Sequence, residues 1–135
     1  MPNFETAHLP ENPDAIAPDG ARVRLLAALG GGSFAHFELP AGAISRAVKH
    51  RSVEEIWFIQ SGKGRIWRKS AHQESVVAIA SGDCLTFPLG VAFQYEADGD
   101  EQLAFVAVTM PPWPGADEAI FVDGPWRASV DSGGN

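Results

Sequence analysis

Two side chains in the stretch AVKHRSVEEIWFIQSGKG, residues 47–64, have the types and spacing for chemistry. His50 and Glu55 stand five positions apart, just before a run of β-forming residues that stops at Ser61-Gly62. An imidazole beside a carboxylate can work as an acid/base pair, the carboxylate holding one tautomer of the ring and supporting its charged form. The same two groups ligate first-row metals, but two ligands rarely hold one ion. Val48 occupies the position where a partner histidine would complete a metal-binding pair. Cys84, the single cysteine, is a candidate nucleophile by type. It is followed by Leu85-Thr86-Phe87 on an apolar strand, so a buried, inert thiol is expected there.

Strands must position these groups. From Gly20 onward, short apolar or alternating runs such as EIWFIQ, GRIWRK, ESVVAIA, VAFQYE and QLAFVAVTM are separated by turn residues. The breaks include Pro40-Ala41-Gly42, Ser81-Gly82, Pro88-Leu89-Gly90 and Asp98-Gly99-Asp100. Many short strands at such intervals predict an all-β sandwich or barrel. No segment before Pro111 carries a long helical period. Successive strand residues face opposite ways. If His50 points inward, Val48 and Arg46 do so too. Glu55 then takes Trp57 and Ile59 with it, and Phe93 takes Tyr95. The expected lumen sets His50, Glu55, Arg46 and Tyr95 against an apolar wall of Val48, Trp57, Ile59 and Phe93, the usual make-up of a small-molecule pocket. A filled interior in which His50 and Glu55 satisfy each other is the competing expectation.

The glycine and proline spacing carries a family resemblance. Gly42, five residues, Val48-Lys49-His50, four residues, Glu55, six residues and Gly62 resemble the first signature of the cupin superfamily. Gly82, five residues, Pro88-Leu89-Gly90, two residues and Phe93 resemble the second. The likeness, flanking strands included, runs over about residues 20–110. It implies a double-stranded β-helix (jelly-roll) barrel, often dimeric, with a small ligand or a metal inside. It also implies four metal ligands, of which His50 and Glu55 match, while Val48 and Phe93 stand in the other two places and cannot coordinate. The motif is therefore a degenerate metal-binding motif, and no cofactor is expected. A divalent metal, if present, would fall to His50 and Glu55, with His36, Gln94 or Tyr95 recruited.

Around this unit, residues 1–19 form an expected extended arm rich in proline, and residues 111–135 an expected tail packed on the barrel. The segment PPWPG opens that tail, a single helical turn is expected within residues 116–122, and Trp113 and Trp126 are too apolar to leave in water. They are expected to pin the tail to the body or to line a mouth, and the terminal VDSGGN to fray. The length fits one domain, able to bury roughly two-thirds of its unfolded surface without a disulfide. The net charge of −7 disfavours nucleic acid and anionic membranes as partners. All lysines and arginines except Arg127 lie between Arg22 and Lys69, which suits either facing strands of opposite charge or a basic rim for an anion. The lone cysteine, the lack of a signal-peptide pattern and the lack of a ~20-residue apolar run favour a cytoplasmic protein.

Three functional readings stay open. The first is a small-molecule-binding protein without a metal, with His50 and Glu55 catalytic and Arg46, Val48, Trp57, Phe93 and Tyr95 binding a small organic ligand. In it Arg46 would hold an anionic group and Trp57 would stack on a ring. The second is a metal-dependent isomerase, lyase or dioxygenase. The third is a non-catalytic module whose product is a homodimer, with Ile56 and Phe58 on the outer face of the Glu55 strand against a partner sheet.

Overall fold

Period-two burial along the chain builds the molecule. In Glu54–Ser61, residues Glu55, Trp57 and Ile59 are buried, while Glu54, Ile56, Phe58 and Gln60 face outward. Each inward set leaves water by joining a sheet whose apolar face meets another sheet. The computed structural model describes residues 3–131. The strands are β1 (Ala15–Ile16), β2 (Arg22–Leu29), β3 (Gly32–Leu39), β4 (Val48–His50), β5 (Glu54–Ser61) and β6 (Lys63–Lys69). They continue as β7 (Glu74–Ala80), β8 (Cys84–Phe87), β9 (Ala92–Ala97), β10 (Leu103–Met110) and β11 (Ala119–Phe121).

The strands form two sheets that do not close into the expected barrel. One sheet has the order β1-β2-β3-β10-β5-β8, the other β11-β4-β9-β6-β7, and every strand pairing is antiparallel. Closure needs a continuous hydrogen-bond ladder from sheet to sheet. Three of the four edge strands are too short to extend one, β1 with two residues, β11 with three and β8 with four. Prolines stand close to each of them (Pro13, Pro18, Pro88, Pro114, Pro125), and proline cannot donate to a ladder. The architecture is an all-β double sheet.

The chain passes between the sheets at tight turns. At Gly62, between β5 and β6, φ is 81°, and a Cβ would strike the Gln102 carbonyl, so only glycine fits. One end of the intersheet space is filled by aromatic rings. Trp57 stacks on Phe105 at 4.0 Å and meets Phe87 at 4.4 Å, Tyr95 at 5.1 Å and Phe93 at 5.4 Å. Ile59, Ile66 and Leu103 complete this core.

Both flanking segments dock. In the N-terminal part, β1 pairs with β2, and the Arg24 guanidinium donates to the carbonyls of Pro10 and Glu11 and to Glu38. After Met110, a single 3₁₀ turn over Ala116–Glu118 leads into β11, a strand that the sequence reading did not anticipate. β11 adds to the edge of β4. Trp126 donates its backbone N–H to Gln94 and lies under the Arg65 guanidinium, 4.0 Å from ring centre to Cζ. Most of the terminal VDSGGN lies outside the described residues. Cys84 is a correction: its thiol is exposed, because Leu85 and Phe87 take the inward positions of β8. Among the described residues, no helix is long and apolar enough to cross a membrane.

Candidate functional site

The other end of the intersheet space is open. A cavity of about 560 Å³ lies there, bounded by inward residues of several elements. β4 contributes Val48 and His50, β5 Glu55 and Trp57, β9 Phe93, β10 Ala107 and Thr109, and β3 Ser33, Ala35 and Phe37. Asp19 enters from the segment before β2, and Pro112, Trp113 and Ala119 from the segment after β10. The lining residues Leu25, Ala27, Ala28 and Phe34 are exposed, so the cavity meets solvent between β2 and β3.

Strand register explains the grouping. Glu55 lies between Thr109 of β10 and Phe87 of β8, and Val48 lies opposite Phe93 of β9. The His50 ring is held edge-on by Phe93 at 5.5 Å and Trp113 at 5.3 Å. Its Nδ1 is 3.9 Å from Glu55 Oε1, beyond hydrogen-bond length, so the two groups do not satisfy each other. Glu55 Oε1 instead accepts from the indole N–H of Trp57 at 3.0 Å.

The electrostatics of the pair differ from the sequence expectation. Burial pushes the Glu55 carboxyl up to about 8, opposed by the Trp57 N–H and reinforced by Asp19 and Glu118. Burial pulls His50 down to about 4, with the Glu118 charge working the other way. At neutral pH Glu55 thus carries its proton and the imidazole is uncharged. A carboxylate supporting an imidazolium is not the resting state. The cavity wall holds a proton donor beside a proton acceptor.

Of the other predicted residues, Val48, Trp57 and Phe93 line the cavity. Tyr95 is fully buried beside it, and its hydroxyl donates to Asp19 Oδ2 at 3.0 Å. Arg46 does not line the cavity, and its guanidinium lies over the Phe121 ring, 4.3 Å from the centroid. Alternation fails before β4, where Ala47 and Val48 are buried in succession. His36 lies on the face of β3 opposite the cavity residues Ala35 and Phe37, beside Arg24 and Val106 in register. Gln94 donates to the carbonyls of Ser45 and Trp126.

The sequence reading missed Asp19, Trp113's contact with His50, and Glu118. Asp19 Oδ1 accepts from the Ala21 N–H, an Asx turn signalled by Pro18-Asp19-Gly20. Burial raises its pKa against those donors. Nothing local in the sequence marks Glu118, which reaches back 66 residues to Ser52.

The fold resemblance implies a metal held by four ligands. Val48 and Phe93 present only carbon to the cavity, and His36 and Gln94 are directed elsewhere. Among the described residues, no group of three or more His, Cys, Asp or Glu side chains could hold an ion. These residues do not fit the four-ligand centre.

Comparison with known proteins adds the following. A family model described as "Cupin domain" matches residues 35–109, over half of the chain. A predicted oxalate decarboxylase from Thermotoga maritima superposes with a TM-score of 0.65 at 23% identity, covering 79% of this chain and 99% of that one. Oxalate decarboxylase from Bacillus subtilis gives a TM-score of 0.74 at 15% identity, over 90% of this chain and 33% of its own. A Klebsiella pneumoniae protein with a double-stranded β-helix domain gives 0.64 at 15% identity, over 77% and 85%. At these identities the likeness to solved structures shows the fold.

Proposed function

The chain belongs to the cupin family, whose general function is small-molecule binding, and on that premise we propose a metal-independent acid/base role. A small organic molecule binds between the sheets, and His50 and Glu55 move a proton on it. One observation carries this reading: a buried carboxyl and a buried imidazole face one cavity 3.9 Å apart, where burial favours the protonated form of the first and the neutral form of the second. Neutral His50 takes a proton from the ligand, and Glu55 gives its own to a ligand oxygen or carbon. The Glu118 carboxylate favours the imidazolium so formed. Return of the proton from His50 to Glu55 resets the pair. The reaction class is a tautomerisation or a related proton shift.

Solvent-deuterium exchange tests the reading. Small enolisable carbonyl compounds are incubated with the protein in D₂O and followed by NMR. Exchange of the α-protons should be faster with the wild type than with His50→Gln or Glu55→Gln by about 10²-fold or more. Equal rates for all three proteins with every saturating compound would sink the proposal. The names of two similar structures suggest oxalate, but among the described residues no lysine or arginine lines this cavity to hold a dianion.

A second reading concerns assembly. Ile56 and Phe58 are exposed on the outer face of β5, which favours a homodimer through that sheet. Light scattering at micromolar concentration should then give twice the chain mass, and Phe58→Asp should return it to the monomer. A wild-type monomer removes this option. The compartment that best suits a lone exposed cysteine is the reducing cytoplasm.

A further inference from the structure

We propose that the ligand of the intersheet cavity is uncharged and mainly apolar, with its polar group at the Glu55–His50 end. The inference rests on the cavity being the binding site and adds the chemical class of what it takes. It stands on the placement of charge. Nine of the ten basic residues lie between Arg22 and Lys69, the segment that supplies much of the wall. Yet none of the lining residues is a lysine or an arginine. The strands turn those cations away. Arg24 is tied to Glu38 and to the carbonyls of Pro10 and Glu11, and Arg46 lies over Phe121. Arg51 donates to the Asp117 carbonyl, and Lys49 falls between two inward residues of β4.

The charged groups that do reach the cavity are acids. Asp19 and Glu55 repel an anion when ionised and give it no countercharge when protonated. Their titration does not change the sign of the argument. Among the described lining residues, protonated His50 would be the one cation, and the nearby Glu118 carboxylate offsets it. The hydroxyls of Ser33 and Thr109 bond to each other, and Ser33 Oγ also accepts from the Trp113 N–H, so neither is a ready anchor. The polar functions at the inner wall are therefore gathered around Glu55 and His50. The entrance has the same character, with Leu25 63% and Phe34 40% exposed at the rim. An anion entering there loses its hydration and meets no compensating charge, whereas a neutral ring or alkyl body loses nothing polar.

Matched probes of one shape test this. The ketone 2-acetylnaphthalene and the carboxylate 2-naphthoate are titrated into the full chain at pH 7 by calorimetry. The indole N–H signals of Trp57 and Trp113 are followed by NMR to place the ligand. The ketone should bind and move both signals, and the carboxylate should bind about 100-fold more weakly, the scale of an uncompensated charge. Ala28→Lys, at the exposed rim, should shift the carboxylate-to-ketone affinity ratio about fivefold toward the carboxylate. Equal or tighter binding of the carboxylate by the wild type overturns the inference, as does binding of neither probe. Ketone binding without His50-dependent exchange supports the inference and removes only the acid/base proposal. His50-dependent exchange on a tightly bound carboxylate does the reverse.

Discussion

Two glutamates near His50 behave differently, one on the cavity wall and one on the strap that follows β10. Glu55 on β5 is 5% exposed and Glu118 at the end of the 3₁₀ turn is 4% exposed. Burial acts on both in the same direction, toward the protonated form. Glu118 nonetheless sits below the usual carboxylate range, because it accepts from the Ser52 N–H, the Ser52 hydroxyl and the Val53 N–H, with His50 adding to the effect. Glu55 accepts from Trp57 Nε1 and is pushed up to about 8. Donors aimed at a carboxylate offset the cost of its burial, and the balance of the two decides whether it keeps a charge. One glutamate fastens the strap to the β4–β5 connection as a structural anion. The other is left as an acid in the cavity.

Four experiments can break or sharpen this contrast. The largest effect is expected at His50, which lies near both carboxyls. His50→Gln should lower proton exchange on a bound carbonyl compound by about 10²–10⁴-fold, read by NMR in D₂O. Unchanged exchange would leave Glu55 an acid without a catalytic partner. Next comes the strap. Glu118→Ala removes three hydrogen bonds to a charged acceptor and should cost about 3 kcal/mol in urea unfolding. A loss below ~0.5 kcal/mol would mean that the strap is held by other contacts.

The third experiment uses pH. A carboxyl whose folded pKa is raised makes stability fall as pH rises from its unfolded to its folded value. For Glu55 the window runs from its ordinary value of 4.5 to about 8. His50, lowered from 6.5 to about 4, acts in the opposite sense below pH 6.5 and masks the fall there. The buried Asp19, also raised, adds to the fall, whereas the lowered Glu118 acts at acid pH. Between pH 6.5 and 8 the wild type should lose about 2 kcal/mol that Glu55→Gln retains. Parallel stability curves for the two proteins would show that Glu55 is ionised in the native state. The smallest effect is expected at its donor. Trp57→Phe keeps the ring stack on Phe105 and removes the N–H, which should raise the Glu55 midpoint further and cost about 1 kcal/mol. Carboxyl NMR across the titration reads the midpoint, and a downward shift would contradict the donor argument.

Much of the fold was legible because its causes are local. Glycines at 42, 62, 82 and 90 all adopt positive φ, so their spacing marked the turns. The alternation of β5 placed Glu55, Trp57 and Ile59 on one face, as read from the sequence. Closure was not legible. It depends on whether edge strands find partners, and β1 and β11 came from segments read as arm and tail. Arg46 failed because period two was carried back beyond the start of β4, into chain that is not a strand. Cys84 failed because apolar neighbours were taken to imply burial on both faces of β8.

What the amino-acid sequence determined by itself was the family, the strand pattern and the presence of His50 and Glu55 with Val48 and Phe93 in place of ligands. These follow from backbone conformation and short-range alternation, which are properties of a few successive residues. The tertiary structure alone decided that the sheets stay open and that the cations turn away from the cavity. It also brought Asp19 and Trp113 from the two flanks to the site, and joined Tyr95 to Asp19 and Glu118 to Ser52 across 76 and 66 residues. The protonation of Glu55 and His50 belongs to this second group. It arises from lost water and from the count of neighbouring donors, and both are set only when distant strands pack together.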